Sequence, residues 1–253
     1  MRNIKKTILV TGGSRGIGLA ITKELLQNKN LIYLNHKSST KELDGFLIKN
    51  KKQIIPIKAN LHITKEVNLL LKMFLNDNIF PDVIVNNAGV ALSAPISYAS
   101  NKWEEQWDKT IGVNLKAPAL ICRAFIQHKI KNNINKKLRI INISSRAAFR
   151  GETEDFIPYA ASKGGLISLT KTIAKSFGKK GVLSFSIAPG FVKTEMAADF
   201  IKKYSLKHAM EGIVLDRLTE PNDIAPLVAF IASGKLDHAT GSTIDINGGS
   251  YLR

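Results

Sequence analysis

The stretch from Lys5 to Gln27 leaves this chain few folds to choose from. A short apolar run, Ile8-Leu9-Val10, leads into Thr11-Gly12-Gly13-Ser14-Arg15-Gly16-Ile17-Gly18, and a helical pattern follows from Leu19 to Gln27. Short apolar runs of this kind suit strands buried on both faces of a parallel sheet. A strand, a glycine-rich turn and a helix in succession present backbone N–H groups and a helix N-terminus to an anion such as a pyrophosphate. Gly12 permits the tight turn, Gly16 a close ligand approach, and Gly18 close packing of helix on strand. The glycine spacing, G-x3-G-x-G, differs from the commoner G-x-G-x-x-G dinucleotide fingerprint.

The same alternation continues along the chain. Strands are expected at 31–34, 53–59, 82–85, 138–144, 182–188 and 242–246, with helices at about 64–76, 101–128, 159–177 and 221–233. Seven strands alternating with helices predict an α/β fold, a doubly wound (Rossmann) parallel sheet with helices on both faces. Ligands of such sheets bind beyond the strand C-termini. With 253 residues and no repeat or Pro/Gly-rich linker, residues 1–253 read as one domain. The segment 192–218, helical but poorly patterned, reads as a mobile substrate lid.

The strand ends carry the polar residues. After the second strand, where an acidic residue would bind ribose hydroxyls, the chain has Lys37; the only carboxylate between Gly18 and Glu42 is Glu24, inside the first helix. With Arg15 in the glycine turn, two cations and no carboxylate favour the 2′-phosphate of NADP. Asn60-Leu61 ends the third strand, where an amide can read an adenine edge or cap the next helix. Asn86-Asn87-Ala88-Gly89 ends the fourth and lets a flat ring lie against the backbone. Asn114 falls inside a long helical stretch, where asparagine is disfavoured unless it has a role. Trp103 and Trp107, at i and i+4, read as core or packing residues. Tyr159 and Lys163 share one helix face. An ammonium near a phenol favours the phenolate and makes the tyrosine a usable acid or base. By itself this spacing also fits a surface tyrosine beside a solvated lysine.

Composition narrows the function classes. A single cysteine, Cys122, excludes an internal disulfide or a cysteine zinc site and reads as a small buried residue; no metal is expected. No apolar run reaches membrane-spanning length, and the run after the basic N-terminus is too short for a signal-peptide core, so a cytoplasmic setting is expected. The net charge of +17 is spread along the chain as a compositional bias, and neither nucleic acid nor membrane is expected as a partner. A non-catalytic nucleotide- or RNA-binding protein is the competing class.

Six motifs in order, namely Thr11 to Gly18, Asn86-Asn87-Ala88-Gly89, Asn114, Ser145, Tyr159-x-x-x-Lys163 and Pro189-Gly190, resemble the short-chain dehydrogenase/reductase family over essentially the whole chain. Asn60, the run Ala188 to Met196 and the ending Thr240-Gly241-Ser242 to Asn247-Gly248-Gly249 are most similar to its β-ketoacyl-carrier-protein reductases. The resemblance implies reduction of a carbonyl by NADPH, foremost a 3-oxoacyl thioester on an acyl carrier protein, with a sugar, polyol or other small alcohol as the alternative substrate. It implies Tyr159 as proton donor, Lys163 lowering its pKa and binding the nicotinamide ribose, Ser145 on the carbonyl oxygen, and Asn114 holding a relay water. Cofactor contacts are implied at Gly12, Ser14, Arg15, Gly16, Ile17, Gly18, Lys37, Asn60, Leu61, Asn87, Ala88, Gly89, Tyr159, Lys163, Pro189, Gly190, Val192 and Thr194. It further implies a homotetramer, and carrier docking at Lys136 and Lys180. The Ser145–Tyr159 spacing is one residue longer than in carrier-protein reductases, and Arg146 and Arg150 within it could contact a sugar.

Overall fold

The computed structural model describes residues 6–195, 197, 201 and 205–253. Seven strands form one parallel sheet: β1 (Thr7–Val10), β2 (Leu31–His36), β3 (Ile54–Lys58), β4 (Val83–Asn86), β5 (Leu138–Ile143), β6 (Val182–Pro189) and β7 (Thr243–Ile246). Their spatial order is β3-β2-β1-β4-β5-β6-β7. The order reverses between β1 and β4, which pair directly (Ile8 with Val83, Val10 with Val85). The connections on either side of that line leave toward opposite faces, so a crevice opens at the strand C-termini there.

The strands are buried on both sides because helices cover both faces. Along β1, Ile8 and Val10 join one core cluster and Leu9 the other, as the two-residue period of a strand requires. The first cluster packs α1 (Gly16–Leu26) and α8 (Pro221–Ser233) against the sheet. The second packs α3 (Thr64–Asn76), α5 (Ala117–Lys131) and α7 (Ile157–Phe177) on the other face. There Phe74 meets Tyr33 at 4.6 Å and Phe125 edge-on at 5.3 Å between ring centroids. Fully burying one such side chain contributes about 1.5–3 kcal/mol. The peripheral α2 (Lys41–Lys49) has a Thr40 N-cap that accepts from the Leu43 N–H, and it buries only Leu43. Cys122 is buried, and burial pushes its thiol up to about 12, so it behaves as an inert packing residue.

One local feature differs from the sequence reading. The helix expected at 101–128 is broken into α4 (Ser100–Ile111), a π-helical turn (Gly112–Lys116) and α5. Trp103 and Trp107 stack at 5.3 Å but are only half-buried, so they pack on one another and not in the core. The expected lid at 192–218 lies partly outside the described residues. No described helix is long and apolar enough to cross a membrane.

Candidate active site

The turn after β1 and the turn after β4 are laced into one platform. Thr11 Oγ accepts from the Asn87 and Ala88 N–H groups at 3.0 and 3.1 Å. Asn87 Nδ2 donates back to the carbonyls of Thr11 and Gly12, both at 3.0 Å. Buried Asn35, at the end of β2, accepts from Gly12 N–H at 3.3 Å and donates to Ala59 O at 3.0 Å. A methyl group on Gly18 would sit 2.0 Å from Gly12 O, so only glycine permits this contact. Gly12 and Gly16 have φ of +61° and +50°, values that glycine adopts freely.

This platform holds the N-terminus of α1 open. The Arg15 side chain does not cap the helix. An 11-residue helix aimed at the crevice, with no side-chain acceptor on its first-turn N–H groups among the described residues, fits a pyrophosphate. Arg15 instead reaches across the crevice mouth to Glu195 at 2.5 Å. Lys37 is exposed at the end of β2. Asn60 Oδ1 accepts from His62 N–H at 3.3 Å, so it caps the turn before α3. The Leu61 side chain is buried in the core and offers the crevice only its backbone. On the far wall, Gly190 N–H donates to Ile246 O at 2.9 Å, and a Cβ there would lie 2.7 Å from Asn247 Cα. Val192 is buried and bridges to Thr219. Thr194 approaches the glycine turn, 3.3 Å from where a Gly16 Cβ would stand.

Ser145, Tyr159 and Lys163 converge beyond β5. Ser145 leaves the strand end, and its Oγ accepts from Ala147 N–H at 3.1 Å, at the start of the short α6 (Ala147–Arg150). Tyr159 and Lys163 stand one turn apart on α7, whose buried positions Ser162, Lys163, Leu166, Ile167, Thr170 and Ile173 form its sheet-facing stripe. Lys163 is 4% exposed. Its ammonium donates to Ile143 O at 2.8 Å and lies 5.7 Å from the Tyr159 ring centroid. Burial lowers its pKa to about 8. Burial raises the Tyr159 phenol above its ordinary value, and a hydrogen bond with Ser145 partly opposes this.

Asn114 sits in the π-helical turn, fully buried. Its Oδ1 accepts from Val90 N–H and its Nδ2 donates to Val90 O, both at 2.8 Å; Nδ2 also donates to Ser162 Oγ at 3.0 Å. Ser162 Oγ donates in turn to Tyr159 O at 2.7 Å. The Asn114 side chain thus ties the β4 turn to the helix of Tyr159. The sequence reading missed three residues of this scaffold. Thr11 and Ser162 lie inside motifs already singled out, and Asn35, a polar residue that follows the apolar run of β2, was open to notice on that ground.

The loop between Ser145 and Tyr159 holds two arginines in different states. Arg150 donates from one nitrogen to both Glu152 oxygens at 3.0 and 3.2 Å. Arg146 is 8% exposed, and among the described residues its guanidinium has no hydrogen-bond or ion-pair partner. Lys136 and Lys180 precede β5 and β6 and so lie at the opposite edge of the sheet from this site. Lys136 pairs with Asp82 at 2.9 Å, and Lys180 stands over the Phe177 ring at 5.8 Å.

The family described as short chain dehydrogenase matches residues 6–205. The chain is 31% identical over 255 residues to the 3-oxoacyl-[acyl-carrier-protein] reductase of Staphylococcus epidermidis, covering 98% of this chain and all of that one. It is 32% identical over 252 residues to the enzyme of the same name from Chlamydia trachomatis serovar D, covering 97% of each. Among solved structures it resembles a 4-hydroxyisoleucine dehydrogenase complexed with NADH, with a TM-score of 0.87 and 27% identity over 97% of this chain and 98% of that one.

Proposed function

The chain belongs to the short-chain dehydrogenase/reductase family, and on that premise we propose that it reduces a ketone to an alcohol with NADPH, the ketone being that of a 3-oxoacyl thioester carried on acyl carrier protein. The observation that carries the reading is the convergence of Ser145, Tyr159 and Lys163 beyond β5, beside the open N-terminus of α1 across the switch in strand order. Full-length similarity to reductases named for that substrate supports the thioester. In this reading residues 1–253 act as one catalytic domain, 192–218 form the substrate cover, and four copies assemble.

The crevice fits a nicotinamide dinucleotide. The first-turn N–H groups of α1 would hold the pyrophosphate, with Gly12, Ser14, Gly16, Ile17 and Gly18 leaving room for it. Arg15 and Lys37 would face the 2′-phosphate, and Asn60 and Leu61 the adenine. Asn87, Ala88 and Gly89 would flank the ribose near Lys163, and Pro189, Gly190, Val192 and Thr194 the carboxamide. The cofactor supplies the hydride that reaches the carbonyl carbon. Tyr159 donates its proton to the carbonyl oxygen as negative charge develops there. A phenol raised by burial stays protonated at neutral pH, the form a donor needs. The Ser145 hydroxyl stabilises the same oxygen. Lys163, near 8, can return a proton after turnover.

An NADPH-oxidation assay with an acetoacetyl thioester tests the reading, and NADH in parallel tests the cofactor preference. Tyr159→Phe should abolish turnover, at least 10²-fold, while cofactor titration remains unchanged. A variant that retains turnover removes Tyr159 from the mechanism. A protein that binds no NADPH but binds RNA in a salt-dependent way belongs to the competing class.

A further inference from the structure

The loop after Ser145 holds a charge that the reduction of a neutral thioester leaves unused. Arg146 is anchored by its own backbone, with its N–H donating to Pro189 O at 2.9 Å and its carbonyl accepting from the Phe149 and Arg150 N–H groups. This ties the residue to the ends of β5 and β6, directly beside Ser145. Its side chain is largely buried, no described residue accepts from its guanidinium, and the guanidinium nitrogens still reach solvent. Arg150, Glu152 and Tyr159 act on it electrostatically. Glu152 is already neutralised by Arg150. Arg146 is therefore a surplus cation, held beside the proton donor.

A largely buried guanidinium that no carboxylate engages directly is poorly served by a neutral carbonyl. A carboxylate serves it better, and the planar guanidinium fork matches that group with two parallel hydrogen bonds. Resting on the reading that Tyr159 protonates a carbonyl reduced by NADPH, we propose that the site takes short oxo acids, whose free carboxylate pairs with Arg146 while the ketone oxygen faces Ser145 and Tyr159. Hydride from NADPH adds to the ketone carbon and the Tyr159 proton to its oxygen. The carboxylate is unchanged, and the products are the hydroxy acid and NADP⁺. Because Arg146 adjoins Ser145, only a few carbons separate ketone and carboxylate.

The test compares NADPH-dependent reduction of acetoacetate, methyl acetoacetate and an acetoacetyl thioester by the wild-type chain and by Arg146→Leu. The wild type should favour the acid over its methyl ester in kcat/KM. The leucine variant should lower that ratio by about thirtyfold or more, mainly through KM. A merely structural role would lower both substrates together and leave the ratio alone. In a second readout, 3-hydroxybutyrate with NADP⁺ should raise the melting temperature of the wild type and not of Arg146→Leu. Arg146→Lys, which keeps the charge but loses the fork, should give an intermediate ratio and serves if the leucine variant does not fold. Preference for the ester, an unchanged ratio, or protection that persists in the variant overturns the proposal. Thioester reduction without acetoacetate reduction overturns it and leaves the proposed function standing; no reduction of any of the three defeats both.

Discussion

A lysine as buried as Lys163 is charged at a cost. Its pKa falls from 10.5 to about 8 because burial disfavours the ammonium. Below about 8 both folded and unfolded chains hold the proton, and the fold carries the whole penalty. Between about 8 and 10.5 only the unfolded chain holds it, so this residue's contribution makes stability rise with pH across that window. The difference corresponds to on the order of 3 kcal/mol, less about 1 kcal/mol for the hydrogen bond to Ile143 O. Lys163→Met should therefore melt higher than wild type at pH 7, lose that advantage by pH 10, and be inactive. Thermal melts at the two pH values check this; a variant less stable at pH 7 would show that the buried ammonium is already compensated. The Tyr-x-x-x-Lys spacing was readable from sequence because it needs only helical periodicity. The state of the pair was not, because burial and the Ile143 carbonyl come from β5, distant in the chain. Arg146 shows the same limit, since sequence shows two arginines in one loop but not that Glu152 engages only Arg150.

At the scale of elements, the strand–glycine–helix unit was legible because each glycine answers a local demand. The π-helical turn at Gly112–Lys116 was not. It depends on Val90, whose backbone takes both ends of the Asn114 amide, a pairing made across 24 residues. Asparagine in a helical run showed that something was there but not the change of helix. Two glycine substitutions separate demand from tolerance. Gly18→Ala places a methyl 2.0 Å from Gly12 O and 2.4 Å from Asn87 Nδ2. It should cost at least about 3 kcal/mol or prevent folding. Gly45→Ala, inside α2 with nothing within 4 Å of the new methyl, should stabilise by about 0.5–1 kcal/mol. Urea midpoints measure both. A tolerated Gly18→Ala would mean that the two turns can part without loss of the fold.

For the whole molecule, a doubly wound parallel sheet with helices on both faces followed from the alternation of apolar runs and helical patterns, because right-handed crossovers leave few topologies open. What crosses the sheet's mouth did not follow. Arg15, in the first turn, and Glu195, 180 residues later, form an ion pair whose side chains are each 73% exposed. Such a pair contributes little to stability, about 0–1 kcal/mol. Its consequence lies in binding, since a 2′-phosphate that recruits Arg15 must compete with the Glu195 carboxylate. Glu195→Gln removes the competing charge and keeps the shape. It should leave the melting temperature within about a degree or two and tighten NADPH binding up to about fivefold, the range of an exposed pair. NADH, which lacks the 2′-phosphate, should be unaffected. Fluorescence titrations of the two cofactors at low and high salt decide the matter. The gain for NADPH should shrink as ionic strength rises, because the competition is between exposed charges. Equal tightening of both cofactors would move the effect of Glu195 from the phosphate to the mouth of the crevice as a whole.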